Sequence, residues 1–309
     1  MRNFALLVDS RLTERMPRHG EKKRKKLLKK VKPSVLIVEK KESCILHFDE
    51  KVRERMERRK YLIRRMKRAM KEDDFEMYFQ PIYSWRENAF LSMEALLRLH
   101  DADGTLISPA EFIPVAEEVG IIDQVGWIVL DKVCAFMSSH SDLEMRTVSV
   151  NMSMQQFMSR GFVDRVEAFL QKYAVAPDRI RIEITERMIS ENPQRTRDTL
   201  HWLSEKGIQF YLDDFGMGYS NFAGVLSLPI ETIKLDLTLV RGAFESERKL
   251  LVLESLIAML RKAGYSVIAE GIETEEQANT LRVLGADRLQ GFYYHRPMPE
   301  EEIVRLFQK

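Results

Sequence analysis

The sequence has few of the features that define disulfide-rich, zinc-binding or membrane-spanning proteins. Its two cysteines, Cys44 and Cys134, are too few for a disulfide framework or a cysteine-based metal site. No apolar run approaches the ~18 residues that a membrane-spanning helix needs. The apolar start of the chain is interrupted at Asp9 and Arg11, too early for a secretory signal. We therefore expect a reducing, cytoplasmic setting.

The charged residues divide the chain into two parts of opposite sign. Residues 1–72 hold 25 Lys and Arg against 10 Asp and Glu, whereas the remainder holds 24 against 37. Such asymmetry indicates that the two parts have different surroundings. The basic part is either a set of solvated helices or a segment that contacts an anionic membrane, a nucleic acid or a partner protein. Both interpretations stay open.

Three segments follow from the hydrophobic pattern. Residues 1–48 form a basic segment with two short apolar runs, SVLIV and SCILHF, which predict a hairpin. Residues 49–73 have apolar side chains at near-helical spacing among many arginines, which predicts an amphipathic helix that connects or dimerises. Residues 74–309 form the main domain, in which short apolar runs alternate with helical patterns.

The main domain contains eight strand candidates. They are EMYFQPIY, AFLSMEALL, TVSVNMS, RIRIEIT, IQFYLDD, TIKLD, YSVIAE and DRLQGFYY. Their nearly continuous apolar character is typical of strands that are buried on both faces. Eight such strands with mostly helical connections favour an α/β fold, a TIM-like (β/α)8 barrel, over an open sheet.

Polar side chains recur within these strands or at their carboxyl ends: Glu94, Asn151, Glu183, Asp213, Asp214, Lys234, Asp236, Glu270 and Gln290. Any one of them, taken alone, is more often a satisfied structural group than a ligand. Together they would converge on one mouth of a barrel, where barrel enzymes carry their active sites. So many carboxylates repel one another unless cations are bound, and an oxygen-rich set without Cys or His favours Mg²⁺ or Mn²⁺ over zinc.

Several separated motifs together resemble the EAL domain family of cyclic di-GMP phosphodiesterases. They span about residues 75–309 and read YFQPI, MEALLRL, SPAEFIPVAEEVG, VNMS, IEITE, DDFGMGYS, IKLD, AEGIE and LQGFYYHRPMP. The resemblance implies an EAL-type barrel with two Mg²⁺ or Mn²⁺ ions in its active site. The implied metal ligands are Glu94, Asn151, Glu183, Asp213 and Asp214, and the implied catalytic residues are Lys234, Glu270, Asp214 and Gln290.

The resemblance also implies residues that bind substrate and residues that support a loop. The implied substrate-binding residues are Gln80, Pro81, Leu97, Arg98, Glu273 and Gly291, and the implied loop-supporting residues are Glu186, Gly216, Gly218 and Asp236. Met217 departs from the small residue that the family usually has in the same loop, and we expect its effect to fall on turnover more than on substrate identity.

The expected activity is metal-dependent hydrolysis of cyclic di-GMP to linear pGpG, which ends second-messenger signalling. The alternative is a cyclic di-GMP receptor that binds without hydrolysis. A homodimer is expected because EAL domains often pair. Residues 1–48 are weakly similar to the end of a GGDEF domain, but the glycine-rich cyclase signature is absent, so a remnant or an adaptor is expected there.

Overall fold

The computed structural model describes residues 34–39, 42–47, 50–216 and 222–308. The chain divides into two compact units, Met1–Arg65 and Met66–Lys309. The first unit contains the strands Ser34–Glu39 (β1) and Glu42–His47 (β2), which pair antiparallel, and most of the helix Glu50–Glu72 (α1). The predicted hairpin and amphipathic helix are confirmed, whereas the functional division of the chain at residues 48 and 73 stays a prediction.

The second unit contains a closed ring of eight strands. These are Phe75–Ser84 (β3), Ala89–His100 (β4), Thr147–Asn151 (β6), Ile180–Thr185 (β7), Gln209–Phe215 (β8), Thr232–Leu235 (β9), Ser266–Ala269 (β10) and Arg288–Leu289 (β11). Leu106–Ile107 (β5) extends the ring at β4, and Met298–Pro299 (β12) pairs with β3. The predicted TIM-like barrel is confirmed.

Helices connect most of the strands. They are Pro109–Val119 (α2), Ile122–Ser139 (α3), Met154–Phe157 (α4), Phe162–Lys172 (α5), Glu186–Glu191 (α6), Pro193–Glu205 (α7), Phe222–Val225 (α8), Leu237–Ala243 (α9), Glu247–Lys262 (α10), Glu275–Leu284 (α11) and Glu300–Phe307 (α12). None of the helices in the described ranges combines the length and apolar character that crossing a bilayer demands.

One strand of the ring runs opposite to the others. β4 and β6 to β11 run parallel to one another, but β3 pairs antiparallel with both β4 and β11. Only residues 85–88 separate β3 from β4, and so short a link makes a hairpin, whereas parallel neighbours need a crossover. The barrel therefore closes through a reversed strand, a detail that the sequence-based prediction did not include.

Alternation along each strand separates an apolar outer face from a polar interior. In β7, Ile180, Ile182 and Ile184 are fully buried, and Arg181 and Glu183 lie on the opposite face. The same period of two places the polar residues of neighbouring strands in the barrel interior. Backbone pairing thereby brings together side chains that are far apart in sequence.

Candidate active site

Lys234 is the centre of an acidic cluster inside the barrel. Its side chain is 1% exposed, and its Nζ lies 2.7 Å from Glu270 Oε1, 2.8 Å from Glu183 Oε2, 3.1 Å from Glu94 Oε2 and 3.5 Å from Asp213 Oδ1. These carboxylates come from β4, β7, β8 and the residue after β10. The predicted convergence of these five residues is thus seen in the structure.

Burial and mutual charge set the protonation of this cluster. Burial opposes the charge of Lys234, but the surrounding carboxylates raise its pKa well above the usual value. Burial raises the pKa of Glu183 well above its usual range, with repulsion from Glu94 as the next cause, and burial raises the pKa of Glu270 to about 7. Although burial opposes ionisation of Glu94 too, Lys234 and hydrogen bonds from two amides lower its pKa.

The amide side chains hold Glu94 in place. Asn151 Nδ2 donates to Glu94 Oε1 at 2.8 Å, and Gln290 Nε2 donates to Glu94 Oε2 at 2.8 Å and to Gln80 Oε1 at 3.2 Å. Gln80 in turn donates to the backbone carbonyl of His295 at 3.1 Å. The predicted residues Gln80, Asn151 and Gln290 therefore lie beside the acidic cluster, and they fix the orientation of one carboxylate.

Two carboxylate oxygens of the cluster accept no hydrogen bond among the described residues and could each coordinate a cation. Glu183 Oε1 and Asp213 Oδ1 are buried and accept no hydrogen bond from the residues that the structure describes. Such buried oxygens suit a hard cation. In this structure the ammonium of Lys234 faces the carboxylates, and within the described ranges no three Asp, Glu, His or Cys side chains are arranged to hold an ion. The donor chemistry fits Mg²⁺ or Mn²⁺; the metal ligands stay a prediction.

Asp214 and Asp236 both lie close to the cluster, but they have different roles. Asp214 has a left-handed backbone with φ of 56°, and partial burial followed by repulsion from Asp213 and Asp236 raises its pKa. Asp236 precedes α9, and its carboxylate accepts a hydrogen bond from the Thr238 backbone N at 2.7 Å. Asp236 is therefore a helix cap, whereas Asp214 presents a carboxylate next to Asp213.

The predicted substrate-binding residues of β3 and β4 are divided between two faces. Arg98 lies on the face of Glu94, is buried beside the ring of Tyr78 at 5.3 Å, and donates to the Leu97 carbonyl at 2.9 Å. Burial lowers the pKa of Arg98. The side chains of Leu97 and Pro81 alternate onto the other face. Tyr78 was missed by sequence reasoning, although its position two residues before Gln80 places it on the same face.

Other predicted residues lie outside the cluster or beyond the described residues. Glu273 is exposed and paired with Arg241, while Gly291 packs against the backbone of Ile272. Glu186 begins α6, and Gly216 has a left-handed φ of 101° beside Leu239. Gly218 and Met217 lie outside the described residues. The roles assigned to all of these residues stay predictions.

Comparison with protein families identifies the barrel. The sequence model of the EAL domain matches residues 63–297, most of the chain. The chain belongs to the EAL domain family. The expected resemblance is therefore confirmed. The acidic cluster consists of residues from the EAL motifs MEALLRL, IEITE, DDFGMGYS, IKLD and AEGIE.

Several named EAL relatives are similar over most of the chain. Signaling protein YkoW of Bacillus subtilis is 33% identical over 241 residues, 77% of this chain and 30% of YkoW. The bifunctional diguanylate cyclase/cyclic di-GMP phosphodiesterase MucR of Pseudomonas aeruginosa is 31% identical over 248 residues, 79% of this chain and 36% of MucR. The chain thus spans about a third of the length of these relatives.

A solved structure of the MucR phosphodiesterase in complex with c-di-GMP superposes on the EAL barrel with a TM-score of 0.74. The identity is 31%, and the match covers 79% of this chain and 99% of that one. The EAL domain of FimX from Pseudomonas aeruginosa, bound to c-di-GMP, has a TM-score of 0.72 at 23% identity, over 77% of this chain and 96% of that one. FimX supports the fold alone.

Proposed function

We propose that this EAL domain is a divalent-metal-dependent phosphodiesterase that hydrolyses cyclic di-GMP to linear pGpG. The observation that carries the proposal is the gathering of Glu94, Glu183, Asp213 and Glu270 around Lys234 in one buried cluster. The names of MucR, of NbdA from Pseudomonas aeruginosa and of PdeR from Escherichia coli include this activity, at 30–32% identity to the chain, and they support the substrate and the reaction.

The family resemblance assigns residues to the proposed ions. Glu94, Asn151, Glu183 and Asp213 would hold one Mg²⁺ or Mn²⁺, and Asp213 and Asp214 would hold the second. When bound, a pair of such ions supplies a Lewis acid and a water of lowered pKa. The two buried carboxylate oxygens without hydrogen bonds, on Glu183 and Asp213, support this assignment.

Lys234 and Glu270 supply charge and a proton acceptor. Lys234 remains protonated because the carboxylates raise its pKa, so its ammonium stabilises negative charge that develops on the phosphoryl oxygens. Glu270 lies 2.7 Å from the Lys234 ammonium, and its carboxylate is the proposed proton acceptor for an attacking water. Gln290 orients Glu94 through its 2.8 Å hydrogen bond.

Arg98 is the proposed phosphate-binding residue. It lies on the same face of β4 as Glu94, and its planar guanidinium can donate two parallel hydrogen bonds to a phosphate. The Tyr78 ring holds the guanidinium from one side. A substrate whose scissile phosphate lies at the acidic cluster would thus have a further oxygen contact at Arg98, on the strand that carries Glu94.

The proposal is tested by turnover of cyclic di-GMP with Mg²⁺, with Mn²⁺ and with a chelator. We expect pGpG with at least one metal and none with the chelator. Glu94→Gln keeps the shape but removes a charge that the ligand set needs, and we expect a loss of kcat of about 100-fold or more. Glu301→Gln, which alters an exposed carboxylate of α12 paired with Arg305, is the matched control.

The receptor alternative makes the opposite prediction in the same assay. A receptor would bind cyclic di-GMP, as measured by calorimetry, and leave it intact over hours in the presence of either metal. Binding without product would contradict the proposed hydrolysis and would favour the receptor. Product that forms equally in Glu94→Gln would contradict the assigned role of Glu94.

A further inference from the structure

A second polar cavity lies at the end of the barrel opposite the acidic cluster. Its volume is about 590 Å³, and its lining comes largely from the amino-terminal ends of the parallel strands. Five lining residues carry the inference: Arg181, Tyr211, Thr232, Ser266 and Arg288. Four of them stand two positions before a residue at the acidic cluster: Arg181 before Glu183, Tyr211 before Asp213, Thr232 before Lys234 and Arg288 before Gln290. The same strands therefore carry both polar regions, each on the interior face.

An apolar layer lies between the two regions. Ile82, Tyr211 and Ile268 form a buried cluster. Ile82 stands between Gln80 and Ser84 on the interior face of β3, and Ile268 stands between Ser266 and Glu270 on β10. Because these apolar residues lie between the two polar regions along the strands, the cavity is separate from the acidic cluster.

Two guanidinium groups converge within this cavity on neutral partners. Arg288 Nη1 donates to the Tyr211 hydroxyl at 2.8 Å, and its Nη2 donates to Thr232 Oγ1 at 3.1 Å and Ser266 Oγ at 3.3 Å. Arg181 Nη1 donates to the Asp178 carbonyl at 2.6 Å and to the Ile180 carbonyl at 3.2 Å. The Arg181 guanidinium also interacts with Tyr211, is attracted by Glu231 and is repelled by Arg288. Three hydroxyl groups therefore hold Arg288, and backbone carbonyls hold Arg181.

Glu231 of the cavity lining attracts Arg181, but no acidic residue makes a close ion pair with either arginine among the described residues. In the part of the chain that the structure describes, no Asp or Glu oxygen lies within 4.0 Å of either guanidinium. Asp287 is paired with Arg86 at 2.9 Å, and Glu231 accepts from Gln209 at 2.9 Å. Half-buried cations without a close ion pair attract a negatively charged ligand, because the surrounding protein screens them less than water does.

We propose that this cavity binds a small molecule carrying a phosphate group, with the phosphate at Arg181 and Arg288. Guanidinium forks match the oxygens of phosphate, and the hydroxyls of Tyr211 and Thr232 lie beside them. The volume lies in the range of small-molecule sites and exceeds what a phosphate alone fills. The site is independent of the proposed hydrolysis at the other end of the barrel.

Ligand titrations on the full chain test the proposal. The probes are inorganic phosphate, ribose 5-phosphate and ribose at constant ionic strength, read by thermal shift and calorimetry. We expect binding of the two phosphates and none of ribose, with affinity reduced about tenfold or more in Arg181→Gln and Arg288→Gln. Arg187→Gln, which removes an exposed arginine of α6 paired with Glu191 and absent from the cavity lining, should leave the affinity unchanged. Tighter binding of ribose 5-phosphate would identify the ligand as an ester; equal binding would identify it as inorganic phosphate.

A structural role alone would give a different result. If the arginines only brace the strands, the variants lower Tm but keep the phosphate-induced shift, and the proposal fails. Arg288 makes three hydrogen bonds, so Arg288→Gln could fail to fold. A measurement on the unaltered chain does not depend on that variant. Crystals soaked in tungstate, a heavy phosphate analogue, should show anomalous density between Arg181 and Arg288. Density confined to the acidic cluster, or none, would contradict the site.

Discussion

At the residue scale, Lys234 determines the electrostatics of the acidic cluster. One ammonium faces four carboxylates, so the cluster keeps an excess of negative charge unless some of the acids are protonated. Burial, together with repulsion from the neighbouring carboxylates, raises the pKa values of Glu183 and Glu270. Bound cations would relieve the same excess, so metal binding and proton release are coupled at this site.

Replacing Lys234 by Met tests this balance. The change leaves Glu94, Glu183 and Glu270 facing one another without compensation, and we expect it to lower the free energy of unfolding by ~3–5 kcal/mol near pH 8. A carboxyl whose pKa is raised by folding loses its stabilising proton as pH rises through the folded value. The deficit should therefore be smaller at pH 5 than at pH 8.

Urea unfolding at the two pH values measures that deficit. Lys249→Met, which removes an exposed lysine paired with Glu245, is the control and should change little at either pH. An equal loss at pH 5 and pH 8 for Lys234→Met would show that packing, and not charge, accounts for the effect.

The individual polar residues of the strands were predictable, but their partners were not. Glu94, Glu183, Asp213 and Lys234 are recognisable because charged residues are costly in buried strands. Which of them meet depends on strand register, and a shift by one residue would turn each to the other face. For that reason the position of Glu273, paired with Arg241 on the surface, could not be obtained from its motif.

At the element scale, the direction of β3 is predictable from the length of the link that follows it. The eight strands follow from apolar runs, and the four-residue link before β4 already requires an antiparallel pair. Pairing of β3 with β11 was not accessible in the same way, since it joins residues about 200 positions apart. The Trp85 indole nitrogen donates to the Ala286 carbonyl at 2.6 Å and supports this closure beside the hairpin.

Gly291 gives a prediction at the same scale. A Cβ at Gly291 would lie 2.2 Å from both the N and the O of Ile272, so the backbone itself would have to move. We expect Gly291→Ala to destabilise the barrel by at least about 3 kcal/mol in urea unfolding.

Gly242 in α9 is a matched control for that change. A Cβ at Gly242 meets nothing within 4 Å among the described residues, and alanine should stabilise the helix by about 0.5–1 kcal/mol. If Gly291→Ala behaves like Gly242→Ala, the close approach of the two backbones is not essential to the fold.

At the scale of the whole molecule, the charge asymmetry separates residues 1–72 from the rest of the chain. Two predictions concern the binding of this chain to other molecules: the contact of residues 1–48 with an anionic surface, and the homodimer. Both stay predictions. The basic block at residues 21–32 lies outside the described residues. The compact unit Met66–Lys309 contains all the residues of the acidic cluster.

Deleting residues 1–48 tests the contribution of the basic segment. We expect the full chain to bind anionic vesicles and to lose that binding steeply with added salt, because screening shortens the reach of surface charges. The deletion variant should lose vesicle binding and keep its turnover of cyclic di-GMP. Sedimentation with anionic and neutral vesicles measures the first, and unchanged binding after deletion would contradict the role.

The reversed β3 has a consequence for the order in which the barrel is completed during synthesis. β3 is the first strand of the ring to be made, yet one of its edges pairs with β11 and β12, which are made last. Until residues 288–299 have left the ribosome, that edge has no partner within the ring. A chain interrupted before Arg288 would therefore present an open strand to other nascent chains, which makes premature termination before β11 a route to aggregation.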